Sequence, residues 1–152
     1  MSIVIETFRH GARRGAAIAL AVVATLSLAT ACSEEAPSPV GAWQTKVQTS
    51  LPSSGEAKIT FNADGTLVQD GTDTLPGTGF WQKSTDGKIT FQVVIPLADA
   101  TKENIIGTIR GEQTATLKDG TYTSKGISTL YDLKGNKTKS FEVNLNGTLI
   151  KS

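Results

Sequence analysis

Side chains able to do nucleophilic, acid–base or metal chemistry are scarce in this chain of 152 residues. There is one cysteine, Cys32, and one histidine, His10. A catalytic thiolate needs a base beside it, most often histidine. A zinc site needs several cysteine or histidine ligands, and an internal disulfide needs a second cysteine. His10 lies in an N-terminal segment laid out like a cleaved signal, so the remainder of the chain offers Cys32 no partner for any of these roles. Aspartate, glutamate, lysine and tyrosine are left for proton transfer. Tyr122 and Tyr131 are the candidates of that kind, each with strand packing as its competing role. The stretch NADGTLVQDGTD carries Asp64, Asp70 and Asp73. It lacks the alternating acids and closing glutamate of a calcium loop and reads as hairpin turn chemistry. The glycines of GTGFW, at 77–81, precede a strand-like run rather than a helix, so they make no phosphate-cradling loop. The expectation is no catalytic residue, no metal site and no cofactor.

Residues 1–31 have three zones: a basic start with Arg9, His10, Arg13 and Arg14, an apolar run GAAIALAVVATLSLATA, and small residues at its end. That is the layout of a secretory signal peptide. The apolar run is short for a membrane span and rich in Ala, Thr and Ser. Ala29-Thr30-Ala31-Cys32 resembles the lipobox of bacterial lipoproteins, with Ala29 where Leu is usual and Leu28 one step back. The resemblance implies that Cys32 is joined to diacylglycerol and becomes the first residue of the mature chain. It also implies export and anchoring to the cell membrane or an outer membrane, on its periplasmic or extracellular face. Residues 32–39, CSEEAPSP, then form a tether: Pro37 and Pro39 favour extended backbone, and Glu34 and Glu35 keep it solvated. From Cys32 onward there are 12 basic and 13 acidic residues. A near-neutral body lacks the footprint of a nucleic-acid binder or of a polybasic membrane-surface protein.

Residues 40–152 show no long helical period. Short alternating runs are separated by turn signals at Asp64-Gly65, Asp86-Gly87, Asp119-Gly120 and Gly135-Asn136. Asp-Gly between alternating runs marks a hairpin. The spacing predicts about eight strands, over 41–48, 56–62, 66–70, 78–84, 88–95, 105–117, 121–131 and 137–151. The expected fold is all-β, an antiparallel meander closing into a barrel, with a two-sheet sandwich as the alternative. The segment LADATKEN, at 97–104, could form a helical turn or a loop over the barrel mouth. Alternation assigns Phe91, Val93, Phe141 and Val143 to the interior. It also turns Gly107, Gly111, Gln113 and Ala115 inward on one strand, and Tyr122, Ser124, Gly126 and Ser128 on the next. Arg110 and Glu112 share the outer face at a spacing that allows pairing. Small inward residues either let the strands coil tightly or leave a cavity. In the second case Gln113, Tyr122, Ser124 and Ser128 are its polar lining. Phe80 and Trp81 point to opposite faces; Trp81 is a further candidate lining residue.

Gly41-Ala42-Trp43, FNADGT, GTGFWQ, GTIRGEQTATLKDG and YDLKGN together resemble a group of small, secreted, uncharacterised bacterial proteins with lipocalin-like barrels. The Gly-x-Trp likeness implies that Trp43 plugs the closed end of the barrel and contacts no ligand. The fold by itself does not give the function. The leading expectation is a lipid-anchored barrel that binds a small apolar or amphipathic molecule, or a lipid, in the cell envelope. Beside it stand a protein-interaction or inhibitor module using the barrel exterior, its partner unspecified, and a cavity enzyme like the allene oxide cyclase barrels, which cyclise a substrate largely by shape.

Overall fold

The computed structural model describes residues 37–151. Cys32, the signal segment and most of the tether lie outside the described residues. The strands are β1 (Gly41–Thr49), β2 (Ser54–Phe61), β3 (Thr66–Gly71), β4 (Gly77–Lys83), β5 (Ile89–Ala98), β6 (Ile105–Lys118), β7 (Thr121–Asp132) and β8 (Lys137–Leu149). Each pairs antiparallel with the next, and β8 returns to β1 to close a barrel in sequence order. The closing seam runs from Trp43 opposite Leu149 to Thr49 opposite Val143. Closure pairs the backbone groups that edge strands of a sandwich would leave open. The all-β meander expected from alternation is the observed fold, with strand ends within a few residues of their expected places. The largest extension is in β5, which runs through Pro96 to Ala98. The β5–β6 ladder shifts register between Leu97 and Ala98. Proline is tolerated beside such an interruption, where a ladder N–H is not required.

The hairpin turns follow from backbone chemistry. Asp119 and Gly120 both take positive φ, at 49° and 74°, the combination a two-residue type I′ turn requires. The segment 97–104 completes β5 and then turns without a helix. Asp99 holds that turn together: its carboxylate accepts from the Thr101 hydroxyl at 2.7 Å and the Asn104 amide at 2.8 Å. Those bonds, the Asn104 bond foremost, lower its pKa to about 2. The expected Arg110–Glu112 pair is absent among the described ion pairs. Arg110 lies instead 4.8 Å over the ring of Tyr131 on the outer face.

Packing divides the barrel into two halves. At the end where β1 begins, Trp43, Ile59, Phe61, Leu67 and Ile89 are all buried. Phe61 meets Trp81, Phe91 and Tyr122 edge to face, at centroid distances of 6.3, 5.3 and 6.2 Å. Each such contact contributes about 0.5–1.5 kcal/mol beyond burial. Trp43 donates its indole N–H to the Pro39 carbonyl at 2.7 Å, so the incoming chain caps this end. Trp81 donates to the Asn62 carbonyl at 2.8 Å. Tyr122 stands directly opposite Gly147 in the β7–β8 ladder. Its ring lies across that glycine, where a Cβ would overlap the ring atoms. Its hydroxyl reaches Thr45 Oγ1 at 2.8 Å. The missing side chain at 147 is therefore what lets a full tyrosine cross the barrel.

Gly147→Ala should destabilise the protein by about 1–3 kcal/mol through overpacking against Tyr122. Gly55→Ala, where an added Cβ meets nothing within 4 Å, should leave stability within about 0.5 kcal/mol. Urea unfolding midpoints of the two variants separate these outcomes; equal midpoints would contradict the packing account.

Candidate functional site

Beyond Tyr122 the interior is not filled. The half of the barrel opposite Trp43 encloses a cavity of about 390 Å³, within the size range of small-molecule sites. Its walls are apolar: Val47, Val93, Ile95, Ile109, Phe141 and Val143 all line it. They arrive there because each continues the inward phase of its strand. The mouth is rimmed by the β1–β2 turn at Leu51 and Ser53 and by the β3–β4 loop at 72–74. Thr74 belongs to that loop, and its Oγ1 is buried without a hydrogen-bond partner. It rests against the backbone of Gly71.

The floor is polar. Ser124 donates its hydroxyl to Gln113 Oε1 at 2.9 Å. The Gln113 amide lies over Gly126, its direct partner across the β6–β7 ladder. One step up, Ser128 leans over its own partner Gly111, where a Cβ would sit 3.2 Å from Ser128 Oγ. Gln113 and Ser128 are only 5% and 7% exposed, and both line the cavity. The lining contains no lysine, arginine or histidine. Its ionisable members are Glu56 and Asp73. Glu56 turns its carboxylate to the outer face, where it accepts from Gln44 at 3.2 Å, and Asp73 stands on the exposed rim. Among the described residues, no cluster of three or more His, Cys, Asp or Glu could hold a metal ion.

The candidate residues read from sequence thus separate. Gln113 and Ser128 meet in the cavity wall, and Ser124 supports Gln113 from the side. Tyr122 forms the packed layer beneath and turns its hydroxyl to Thr45, away from open space. Trp81 is on the inward face but in the packed half, against Phe61, and does not line the cavity. Trp43 is 2% exposed at the closed end. Tyr131, the other tyrosine considered for proton transfer, is on the outer face under Arg110. Sequence reasoning missed Gln69 and Thr74. Gln69 was legible, since it keeps the inward phase of Leu67 on β3. Thr74 sits in a loop, where alternation carries no information.

Outside the barrel, one row across four strands places Phe80, Gln92, Glu112 and Ile127 side by side. Phe80 is 71% and Ile127 55% exposed. The protein is thus a small closed antiparallel β-barrel of eight strands, with one packed end and one open end, an architecture compatible with ligand binding. In comparison with known proteins, no family model and no curated sequence matches the chain.

Burial raises the Tyr122 pKa to about 12, against a partial offset from the Thr45 hydrogen bond. An acid whose folded pKa is raised stabilises the fold fully below its unfolded pKa, near 10, and loses that contribution as pH climbs through the folded value. Two pKa units correspond to about 2.7 kcal/mol. Most of that, about 2 kcal/mol, should be lost from the wild type but not from Tyr122→Phe between pH 9 and pH 12. Urea titrations across that range check it; parallel declines would contradict the burial of this hydroxyl.

Proposed function

We propose that this protein is a lipid-anchored binding protein of the cell envelope, whose barrel holds one small apolar or amphipathic molecule. The observation that carries the binding reading is the cavity of about 390 Å³ with apolar walls and a polar floor, the recipe of small barrels that hold a ligand. The lipocalin-like likeness of the sequence points the same way. Anchoring rests on the lipobox-like Ala29-Thr30-Ala31-Cys32. Two acyl chains give stable attachment where one gives only a marginal one. The described chain enters the barrel at its closed end, at Pro39 beside Trp43. A lipid on Cys32 would attach the chain on the side of the barrel away from the mouth. Eight residues, 32–39, can reach at most about 28 Å.

The exposed pair Phe80 and Ile127 favours a second reading, a protein-interaction module using the outer face of β4–β7. Exposed apolar groups of this kind mark contact surfaces when they are contiguous. Here Gln92 and Glu112 separate them, so the cavity remains the stronger feature.

Two measurements test the proposal. Cys32→Ala should abolish incorporation of radiolabelled fatty acid into the protein; persistent labelling sinks the anchor. The neutral fluorophore 1-naphthylamine should blue-shift on binding to the wild type. Val143→Trp, which places an indole in the cavity, should remove the shift while Phe80→Ser retains it. The opposite pattern would assign binding to the outer face.

A further inference from the structure

Resting on the cavity reading above, we infer the class of molecule that the floor selects: a neutral amphiphile that enters with an uncharged hydroxyl or carbonyl group leading, and not a carboxylate. The two polar residues of the floor are buried, and each keeps hydrogen-bonding capacity that opens into the cavity. Gln113 Oε1 is taken by the Ser124 hydroxyl at 2.9 Å. Its Nε2, with two N–H donors, has no hydrogen bond to any described residue, and neither has Ser128 Oγ. A ligand that cuts this amide and hydroxyl off from water without replacing the lost hydrogen bonds incurs a cost, so whatever fills the cavity must supply a partner. Turning the amide over changes only which end is free, because a serine hydroxyl can donate or accept. In either setting an alcohol satisfies both Gln113 and Ser128, and a carbonyl satisfies them in the setting observed.

The site is built for this. Gln113 and Ser128 each lean over the glycine directly across the ladder, Gly126 and Gly111. A Cβ at 126 would stand 2.7 Å from Gln113 Nε2, and one at 111 would stand 3.2 Å from Ser128 Oγ, so a side chain at either glycine would crowd the polar group. The two glycines therefore hold the polar pair flat against the wall and leave the axis to the ligand.

Charge decides the rest. No cation lines the cavity, and its two ionisable lining residues, Glu56 and Asp73, are both acidic. Lys139 shares the inward phase of Phe141 on β8, opposite Leu130, but is exposed and does not line the cavity. A carboxylate at the floor would be buried with no counter-charge, which is strongly unfavourable. One at the rim would leave the floor donors unpaired. At roughly 30 Å³ for each water-sized atom, the cavity takes about a dozen non-hydrogen atoms, so a ten-carbon chain with a single head group fits.

The test is isothermal titration of the full chain at pH 8 with 1-decanol and with decanoate, and of Gln113→Leu and Ser128→Ala with the same two probes. We expect 1-decanol to bind at least about 100-fold more tightly than decanoate. Each variant should weaken 1-decanol about tenfold and leave decanoate unchanged. Ser128→Ala is small enough to keep the fold if Gln113→Leu does not. Equal affinity for the two probes overturns the inference, as does 1-decanol affinity unmoved in both variants, which would assign the floor groups to bound water. If neither probe binds while 1-naphthylamine still does, the head-group assignment fails and the cavity reading survives. If none of the three binds, the cavity reading fails with it.

Discussion

The placement of one ring governs the interior. Tyr122 crosses the barrel over Gly147, reaches Thr45 with its hydroxyl at 2.8 Å, and packs edge-on to Trp43 and Phe61. That one side chain joins β7 to β1 and β2, the strands at the other end of the sequence. Below it the aromatic layer is continuous and dry enough to raise the phenol pKa to about 12. Above it the cavity begins, walled by Val93, Ile109, Phe141 and Val143. The buried phenol tolerates this position because its polar tip has a partner. A residue with a longer side chain at 147 would displace the ring and blur the boundary between packed and open halves.

The same device recurs in polar form along β6 and β7. A glycine across the ladder accepts the side chain of its partner, at Gly126 for Gln113 and at Gly111 for Ser128. At the floor of the cavity this arrangement lays amide and hydroxyl against the wall. The glycines thus do two things that sequence alone leaves as alternatives. They permit close strand approach, as where Gly79 meets the backbone of Gln92, and they create the notches in which larger partners lie. Apolar walls above a polar floor follow from two periods acting together: alternation along each strand, and direct pairing across each ladder.

Much of this was legible in the residues. Alternation with Asp-Gly turns gave the strands, their order and the inward set, because a period of two leaves little freedom once one face is buried. It gave Gln113, Ser124 and Ser128 as inward. It could not say how far along the axis each lies, since axial depth depends on register and tilt between strands distant in sequence. For that reason Trp81, inward as expected, belongs to the packed half rather than the cavity. Tyr122 falls in the layer beneath for the same reason. The Arg110–Glu112 spacing suggested an ion pair, but the cross-strand ring of Tyr131 offers Arg110 a contact that no reading along a single strand reveals. Exposed pairs of charges gain little in water, so the ring prevails.

The central claim is that the open half of the barrel, and not its outer face, receives a ligand. The most direct measurement is intermolecular NOE mapping between 1-decanol and methyl-labelled protein. The account predicts contacts from the ligand chain to the methyls of Val93, Ile109 and Val143, and none to Ile59 or Leu67 in the packed half. Contacts confined to Val94 and Ile127 on the exterior, or to the packed-half methyls, would contradict it.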